Sequence, residues 1–372
     1  MQISVAPVAS KSELLEFIRF PRRLYHNDPN YVPYLELERK EFFDPKKNPL
    51  FDFTEVAYFM ARNTRGEIVG TITAHINRRH NEFAREQAGF FGFFESVDDW
   101  PTAQALHYVA AKWLRERGMK CIRGPFNFST NDECGLLVEG FNHPPTLMMP
   151  YSKPYYPALM DRLGYKSIRE LLAYDYFRNS PDPEFLDRLS QRVRQKVQVT
   201  VRPLDLRNFE AEIERAFAIY NSAWEKNWGF IPMTEAEFKF IAKNLKPVIN
   251  PSLALIAEME GRAVAFSIAL PDFNQVLKKM HGRLLPLGLF HFFFGRRKID
   301  AIRVLAMGVM REHRGRGIDV LLYHATWKAF LAGGYQRCEM SWILEDNHAM
   351  TRACEKMGGK ITKRYRIFEK EL

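Results

Sequence analysis

The chain has 372 residues, 46% of them hydrophobic and 26% charged, and a formal net charge of +10. These are the proportions of a soluble globular protein with room for two domains, and no apolar run approaches the roughly 20 residues that span a bilayer. The positive charge favours an anionic partner, which could be a CoA-type cofactor, a membrane surface or nucleic acid, although a solvated basic surface has the same composition.

The first half of the chain alternates strand and helix patterns. It predicts helix Ser12–Phe20, strands Val56–Asn63, Glu67–Asn77 and Gly89–Ser96, a helix from Pro101 to about Arg117, and strand Lys120–Gly124. Asp98 and Asp99 precede the second helix and Gly118 follows it, which are ordinary start and stop signals. The stretch between the first helix and the first strand is rich in aromatic residues, so we expect an ordered cap or a substrate-side loop there.

A polar loop, PFNFSTNDECG, follows strand Lys120–Gly124. Asn127, Asn131 and Asp132 in this loop are candidate substrate-binding residues, because loops at strand ends often carry binding groups. A turn in which these side chains bond to their own backbone explains the same pattern equally well.

The second half of the chain restarts the same plan after a charged stretch, residues 181–198, that we interpret as a linker becoming a helix. It predicts strand TVRPLD, helices Asn208–Trp224 and Thr234–Leu245, strands Leu253–Met259, Ala263–Leu270 and Val304–Met310, helix Ile318–Ala332, strand Arg337–Leu344, helix Asn347–Met357 and a last strand to Phe368.

The two halves also correspond in sequence. ALMDRLGYK lies over RACEKMGGK when Gly164 is set on Gly358, and the two hairpins correspond as well. We therefore predict an α+β protein made of two tandem copies of one domain, each a mixed, mostly antiparallel sheet flanked by helices. The predicted boundaries are residues 1–180 and 199–372, with the linker between them.

The segment RVLAMGVMREHRGRGID in the second copy reads as a strand, a basic glycine turn and a helix start. Glycines allow close backbone approach, and a helix N-terminus adds partial positive charge, so the turn suits a pyrophosphate. An ordinary basic turn is the simpler alternative. The matching turn of the first copy, VDDWP, is acidic and lacks glycine, so we expect it to repel phosphate and the first copy to be non-catalytic.

This turn resembles the acetyl-CoA loop of the GNAT acyltransferase superfamily, with Arg314 and Gly317 matching and Asp319 departing from it. The resemblance implies that an acyl-CoA or acetyl-CoA thioester is the donor and that an amine is the acceptor. The cofactor-binding residues that we predict are Val309, Met310, Arg314, Gly315, Arg316, Gly317, Ile318, Asp319 and Asn347.

The segment after strand Arg337–Leu344 extends the resemblance, because Asn347, Lys356 and Gly358 match a second GNAT pattern. Cys354 stands where many members have a tyrosine that protonates the departing thiolate. Cys354 is therefore either a proton donor or a packed helix residue, and the thiolate could also leave to solvent unaided.

Few side chains are needed when an amine attacks a thioester held beside it. A backbone N–H near Val309 would polarise the thioester carbonyl. We favour Glu345 as the base that takes the ammonium proton. The other carboxylates and polar groups considered, Asp346, Glu339, Glu225 and Asn227, could equally be surface or capping groups. Substrate-binding candidates in this copy are Glu225, Asn227 and Trp228.

Residues 276–298 form an insert between two strands of the second copy. Basic residues flank its apolar run LLPLGLFHFFF. This arrangement suits an interfacial membrane contact or a tunnel for a long acyl chain, and core packing is the plain alternative. Nucleic-acid binding is not expected, because the apolar run is continuous rather than interleaved with base-stacking rings on a basic sheet.

The motifs GFFGFFES, GPFNFSTNDECGLLVEGFNHPP, YYPALMDRLGY, AWEKNWGF and HRGRGID resemble a bacterial tandem-GNAT family grouped with the bacterial ceramide synthases. The resemblance implies transfer of a fatty acyl group from acyl-CoA to a long-chain or sphingoid-type amine. The alternatives are an N-acetyltransferase acting on a small molecule or peptide, and a CoA-binding protein without turnover.

The cellular setting is predicted from simple features. The four cysteines, at positions 121, 134, 338 and 354, lack the spacing of paired metal ligands, and the opening MQISVAPVASKSELLEF does not resemble a signal peptide. We therefore expect a cytoplasmic protein with free thiols and no metal site, attached peripherally to the inner membrane through residues 276–298.

Overall fold

The structure is a computed structural model that describes residues 3–181, 183–225, 227–284 and 288–372. The chain divides into two compact units. Unit 1 consists of Met1–Leu171, Val276–Phe293 and Lys363–Leu372, and unit 2 of Leu172–Gln275 and Phe294–Thr362. The predicted boundaries, at residues 180 and 199, divide the chain into two continuous pieces. In the structure, unit 1 also includes most of the insert and the C-terminal part of the last strand. The end of the last strand belongs to unit 1 because Phe368–Glu371 pairs with Cys121–Gly124.

Unit 1 is built around a mixed sheet with helices. Its elements are β1 (Ser4–Pro7), α1 (Lys11–Leu24), α2 (Glu36–Phe42), β2 (Thr54–Arg62), β3 (Ile68–Asn77), α3 (Arg78–Ala84), β4 (Ala88–Ser96), α4 (Trp100–Arg115), β5 (Cys121–Gly124), β6 (Phe126–Asn127), β7 (Glu133–Cys134), β8 (Leu136–Glu139), α5 (Tyr156–Arg162) and the first half of β9 (Lys166–Phe177). Strands β1 to β4 pair antiparallel in order, and β4 pairs parallel with β5.

Unit 2 repeats this plan. Its elements are α6 (Glu184–Lys196), β10 (Thr200–Pro203), α7 (Phe209–Trp224), α8 (Glu235–Leu245), β11 (Ala254–Met259), β12 (Arg262–Pro271), β13 (Ala301–Val309), α11 (Ile318–Ala332), β14 (Arg337–Leu344) and α12 (His348–Lys356). Strands β10 to β13 pair antiparallel in order, and β13 pairs parallel with β14. Four elements have residues in both units: β9, α9 (Asn274–Met280), α10 (Gly288–Gly295) and β15 (Lys360–Glu371).

The shared strand order confirms the predicted fold class, an α+β protein of two tandem copies. Each copy has three antiparallel pairings followed by one parallel pairing reached through a helix. Short 3-10 helices connect these elements at Pro49–Asp52, Leu206–Asn208, Lys246–Val248, Pro251–Leu253, Arg296–Lys298 and Arg311–His313.

Apolar periodicity explains the core of each unit. In unit 1, Leu106, Ala110 and Leu114 recur on one face of α4 and are fully buried against strands β2 to β4. In unit 2, Leu321 and Leu322 of α11 are fully buried with residues of β11 and β12. Packing of these helix faces fixes where α4 and α11 begin, and so where the turn before each helix lies.

Most of residues 181–198, interpreted from the sequence as a linker becoming a helix, form helix α6 of unit 2. Its buried residues are Leu186, Ser190 and Val193. The insert carries α9 and α10, and its base is fixed within unit 1. There the Gly282 carbonyl accepts hydrogen bonds from the Arg22 guanidinium and the Glu36 N–H, each 3.1 Å long.

Candidate functional site

Strands β13 and β14 of unit 2 separate after a short parallel pairing. Their register runs from Ala301 opposite Arg337 to Val304 opposite Met340 and stops there. On its other side β13 stays paired with β12 up to Val309, with one irregularity at Leu305. The later residues of β13 therefore have an edge that β14 does not cover, and this opening is the candidate site.

The peptide N–H groups of Met307 and Val309 in β13 face this opening, as the hydrogen bonds on the other side of the strand show. The Met310 N–H donates to the Val264 carbonyl of the neighbouring hairpin. Because bonded and non-bonded residue pairs alternate along an antiparallel ladder, Met307 and Val309 direct their N–H groups to the other side. The predicted position of the Val309 N–H is thus suited to polarise a carbonyl, whereas the Met310 N–H is already used within the sheet.

The glycine turn is shaped by backbone geometry. Gly315 and Gly317 have φ values of +74° and +78°, which side chains other than glycine adopt only with strain. Gly317 is also the residue before α11, so the turn ends at the N-terminus of that helix. Successive N–H groups in such a turn, together with the helix dipole, form a site suited to phosphate oxygens.

The side chains of the turn have different roles. The Arg314 guanidinium donates to the Ala223 carbonyl at the end of α7 and, at 3.4 Å, to the Val309 carbonyl, so it holds the turn against α7. Arg316 is exposed and reaches the Met259 sulfur at 3.9 Å. Ile318 is buried in the core, which leaves only its backbone for a ligand. Asp319 lies in the first turn of α11, and its charge contributes, after burial, to raising the pKa of Tyr323.

Helix α12 contributes structure rather than reactive side chains to the opening. The Asn347 side chain caps the helix by accepting from the Met350 N–H at 3.3 Å. Cys354 is fully buried with its sulfur 3.6 Å from that of Met340, and burial raises the pKa of its thiol to about 12. This geometry favours the packed alternative for Cys354. Glu345 is exposed directly after β14.

The end of α7 covers one face of β13. A Cβ atom added at Gly308 would lie 2.4 Å from the Trp224 ring, so this glycine is required for their contact. Glu225 follows with a carboxylate 3.7 Å from the Arg311 guanidinium, and Asn227 bonds through its N–H to the Trp224 carbonyl. Trp228 is half-buried in the same turn. The predicted acceptor residues of unit 2 therefore follow Trp224, the residue that packs on β13, and residue 226 lies outside the described part of the chain.

A buried polar network marks the point where the strands separate. Ser341 donates to the Glu339 carboxylate at 2.7 Å and accepts from the Arg303 guanidinium at 2.9 Å. Glu339 is fully buried and Arg303 is 3% exposed. Such a charge is stable in the interior only with partners, so Glu339 acts in this network and is a poor candidate for a base facing a substrate.

In unit 1, strands β4 and β5 also separate after a short parallel pairing, but the Asn127 side chain occupies the space beside β4. Strands β4 and β5 pair only from Ala88 to Phe90, and the Phe93 N–H then donates to the Asn127 side-chain oxygen at 2.9 Å. The Asn127 amide donates in turn to Glu133 at 3.2 Å. The Asn127 side chain therefore bonds within the protein, and its role in binding substrate stays a prediction.

The other predicted groups of unit 1 are also internally bonded. Asp132 accepts from the Ser129 hydroxyl at 2.8 Å, and the Asn131 N–H donates to that hydroxyl at 3.1 Å, as in the turn alternative. Asp99 accepts from the Thr102 N–H at 3.1 Å and so caps α4 with a carboxylate. This negative cap supports the expectation that the first copy repels phosphate.

Three contacts made by the elements around the opening were not identified from the sequence. Trp224 ends a helix with ordinary periodicity, and Tyr323 lies among the leucines of α11 with its hydroxyl 3.1 Å from the Met350 sulfur. The spacing of apolar residues in α6 indicates a helix, but it does not indicate that Val193 packs on Gly317, which is far away in the sequence. In the described ranges, no group of three or more His, Cys, Asp or Glu side chains could hold a metal ion.

Comparison with known proteins gives two full-length relatives. The chain is 37% identical over 373 residues to Protein YghO of Escherichia coli (strain K12), covering 98% of this chain and 94% of that protein. It is also 37% identical over 381 residues to the bacterial ceramide synthase of Caulobacter vibrioides (strain NA1000 / CB15N), covering 100% and 98%. No protein-family model matches the chain.

A solved structure shares the fold. A tandem GNAT protein from the clavulanic acid biosynthesis pathway, solved without AcCoA, aligns with a TM-score of 0.59 at 12% identity. The alignment covers 100% of this chain and 98% of that one. At this identity the likeness concerns the fold, and it extends over both copies of the repeat.

Proposed function

Because this chain belongs to the tandem GNAT acyltransferase family that includes the bacterial ceramide synthase of Caulobacter vibrioides, we propose that it is an acyl-CoA-dependent N-acyltransferase. The acceptor that we propose is a long-chain or sphingoid-type amine. The observation that carries the proposal is the opening between β13 and β14, where two N–H groups lie on the strand leading to the glycine turn. Unit 1 fills its own opening with Asn127, so the reaction is assigned to unit 2.

The residues of unit 2 fit an acyl-CoA donor. Backbone N–H groups from Gly315 to Asp319 would hold the diphosphate, and the Val309 N–H would hold the thioester carbonyl. The amine nitrogen forms a bond to the carbonyl carbon, the carbon–sulfur bond breaks, and its electron pair leaves on the CoA thiolate. The ammonium proton passes to Glu345, the exposed carboxylate that we propose as base, directly or through water. Cys354 has no part in this scheme because it is buried against Met340.

The insert supports a lipidic acceptor and a peripheral location on the inner membrane. Phe290, Phe293 and Phe294 of α10 are 59%, 59% and 58% exposed and share one helix face, since they are spaced three and four residues apart. Arg296, Arg297 and Lys298 follow directly and are exposed. Exposed aromatic rings beside cations suit the interface of an anionic bilayer.

Two nearby basic residues, Lys278 in the insert and Arg303 after it, do not belong to this surface. Lys278 bonds to the Pro29 carbonyl, and Arg303 is buried in the polar network. Their charges are used inside the protein. No helix in the described part of the chain is long and apolar enough to cross a membrane.

The membrane proposal is tested by sedimentation with vesicles of phosphatidylcholine alone or mixed with phosphatidylglycerol. We expect binding to the anionic vesicles only, lost in the triple variant F290S/F293S/F294S and weakened in R296E/R297E. Phe83→Ser is the matched control, because Phe83 is 49% exposed on α3, outside the insert. Equal binding of wild type and triple variant would remove the membrane surface from the account.

The acyltransferase proposal is tested by mass spectrometry of products formed from a sphingoid base with palmitoyl-CoA or acetyl-CoA. We expect the long-chain amide to form faster, and the reaction to be strongly reduced in Arg316→Glu. Arg207→Glu serves as control, since Arg207 is an exposed arginine of unit 2 with a side chain 91% exposed. Equal rates with both donors would favour a small-molecule N-acetyltransferase, and CoA binding without any product would favour a non-catalytic protein.

A further inference from the structure

Helix α6 runs alongside α11 in the opposite direction. The Asp187 carboxylate, near the start of α6, lies 2.8 Å from the His324 ring and 3.1 Å from the Lys328 amine. Near its end, Val193 packs so closely that a Cβ added at Gly317 would lie 2.7 Å from a Val193 methyl. Residue numbers therefore rise along α6 as they fall along α11, and the last turn of α6 lies beside the glycine turn.

The C-terminal end of α6, from Arg192 to Lys196, is strongly basic. Arg192, Arg194 and Lys196 are all exposed, and Arg192 and Arg194 flank Val193 in sequence. The sequence contains no acidic residue between Asp187 and Asp205. With Arg316 exposed on the facing turn, cations are concentrated around the N-terminus of α11. Like charges that are neighbours on a surface repel one another, and an anionic ligand relieves that repulsion.

Basic residues in a last helical turn also interact favourably with the helix dipole. That effect accounts for Arg194 and Lys196 but concerns α6 alone. It gives no reason for this end of α6 to be packed against the glycine turn through Val193. The helix dipole does not explain why the basic end of α6 lies beside the basic glycine turn.

We propose that Arg192 and Arg194 bind the 3′-phosphate at the ADP end of CoA. The inference rests on the proposed function, in which the glycine turn takes the diphosphate through its N–H groups. CoA carries one more phosphate, on the ribose, and guanidinium groups bind phosphate through paired hydrogen bonds. Helix α6, which precedes the first strand of unit 2, thus completes the donor site and makes it selective for the 3′-phosphorylated nucleotide.

The test is calorimetric titration of the full chain with CoA and with 3′-dephospho-CoA. Wild type should bind CoA about tenfold more tightly, the effect expected of a charge-assisted hydrogen bond. The double variant R192Q/R194Q should lose this preference while its affinity for 3′-dephospho-CoA is unchanged. Arg188→Gln is the matched control, because Arg188 is exposed on the same helix about 7.5 Å farther along its axis from Val193.

Each outcome separates the two proposals. If wild type binds CoA and 3′-dephospho-CoA equally, or if R192Q/R194Q keeps the preference, the role of α6 is refuted and its cations only stabilise the helix. If wild type binds neither nucleotide, the proposed function fails first. The comparison of the two nucleotides on wild type needs no variant, so a folding defect in R192Q/R194Q would not leave the proposal without a test.

Discussion

The contact between Val193 and Gly317 predicts unequal effects of two similar substitutions in the glycine turn. Gly315 and Gly317 both have positive φ values, +74° and +78°. A Cβ at Gly315 would meet nothing within 4 Å, whereas a Cβ at Gly317 would lie 2.7 Å from a Val193 methyl. Replacement by alanine therefore adds backbone strain at both positions and a steric clash at only one.

The magnitudes follow from these two terms. An alanine in the left-handed region costs roughly 1–2 kcal/mol, and overpacking typically adds another 1–3 kcal/mol. Gly315→Ala should thus lower the free energy of unfolding by roughly 1–2 kcal/mol, and Gly317→Ala by about 2–5 kcal/mol. In domains of 150–250 residues, 1 kcal/mol corresponds to a shift of about 2–4 °C in Tm.

The assay is thermal unfolding of both variants and of the pair V193A and V193A/G317A. Removing the Val193 methyl groups should make the Gly317 substitution as mild as that at Gly315, a coupling that the double-mutant cycle measures directly. Equal Tm values for Gly315→Ala and Gly317→Ala would refute the packing of α6 on the turn, and with it the geometry behind the α6 proposal.

Three further predictions concern buried groups. Cys354→Ala should keep its turnover number and lose about 1 kcal/mol of stability, because the thiol is packed against Met340. A selective loss of turnover with an unchanged Tm would restore Cys354 as a proton donor. Asn127→Ala should lower the free energy of unfolding by about 1–3 kcal/mol, since it leaves the Phe93 N–H without its acceptor, and calorimetry should find CoA affinity unchanged. Burial raises the pKa of Glu95 to about 7 from its ordinary value of 4.5, despite hydrogen bonds from Tyr156 and Tyr25. The folded state therefore holds a proton that the unfolded state releases, and stability should fall as pH rises from about 4.5 to about 7. Melting curves of Glu95→Gln should lack this decline. A parallel decline in both proteins would contradict the assignment.

Elements bounded by local signals were predicted at their true positions. Helix Ile318–Ala332 lies between Gly317 and Gly333, and strand Arg337–Leu344 follows directly, so both appear with the predicted bounds. The strand before the turn was placed at Val304–Met310, but it runs over Ala301–Val309. Local patterns identify an element well and its ends less well, because pairing partners decide where a strand stops.

Features that depend on distant contacts could not be predicted. The role of Asn127 depends on a hydrogen bond to Phe93, 34 residues away, and Arg314 holds a carbonyl 91 residues away. The burial of Cys354 depends on Met340 in the adjacent strand. Spacing in the sequence identified the glycine turn and its neighbours, while the fold decided which of their side chains remain available to a ligand.

The measurement that tests the central claim most directly is release of free thiol from palmitoyl-CoA by the purified protein, with and without a long-chain amine. The account predicts thiol release that depends on the amine, matches amide formation one to one, and falls sharply in Arg316→Glu but not in Arg207→Glu. Thiol release that ignores the amine, or amide formation that survives Arg316→Glu unchanged, would contradict an acyl transfer carried out at the glycine turn of unit 2.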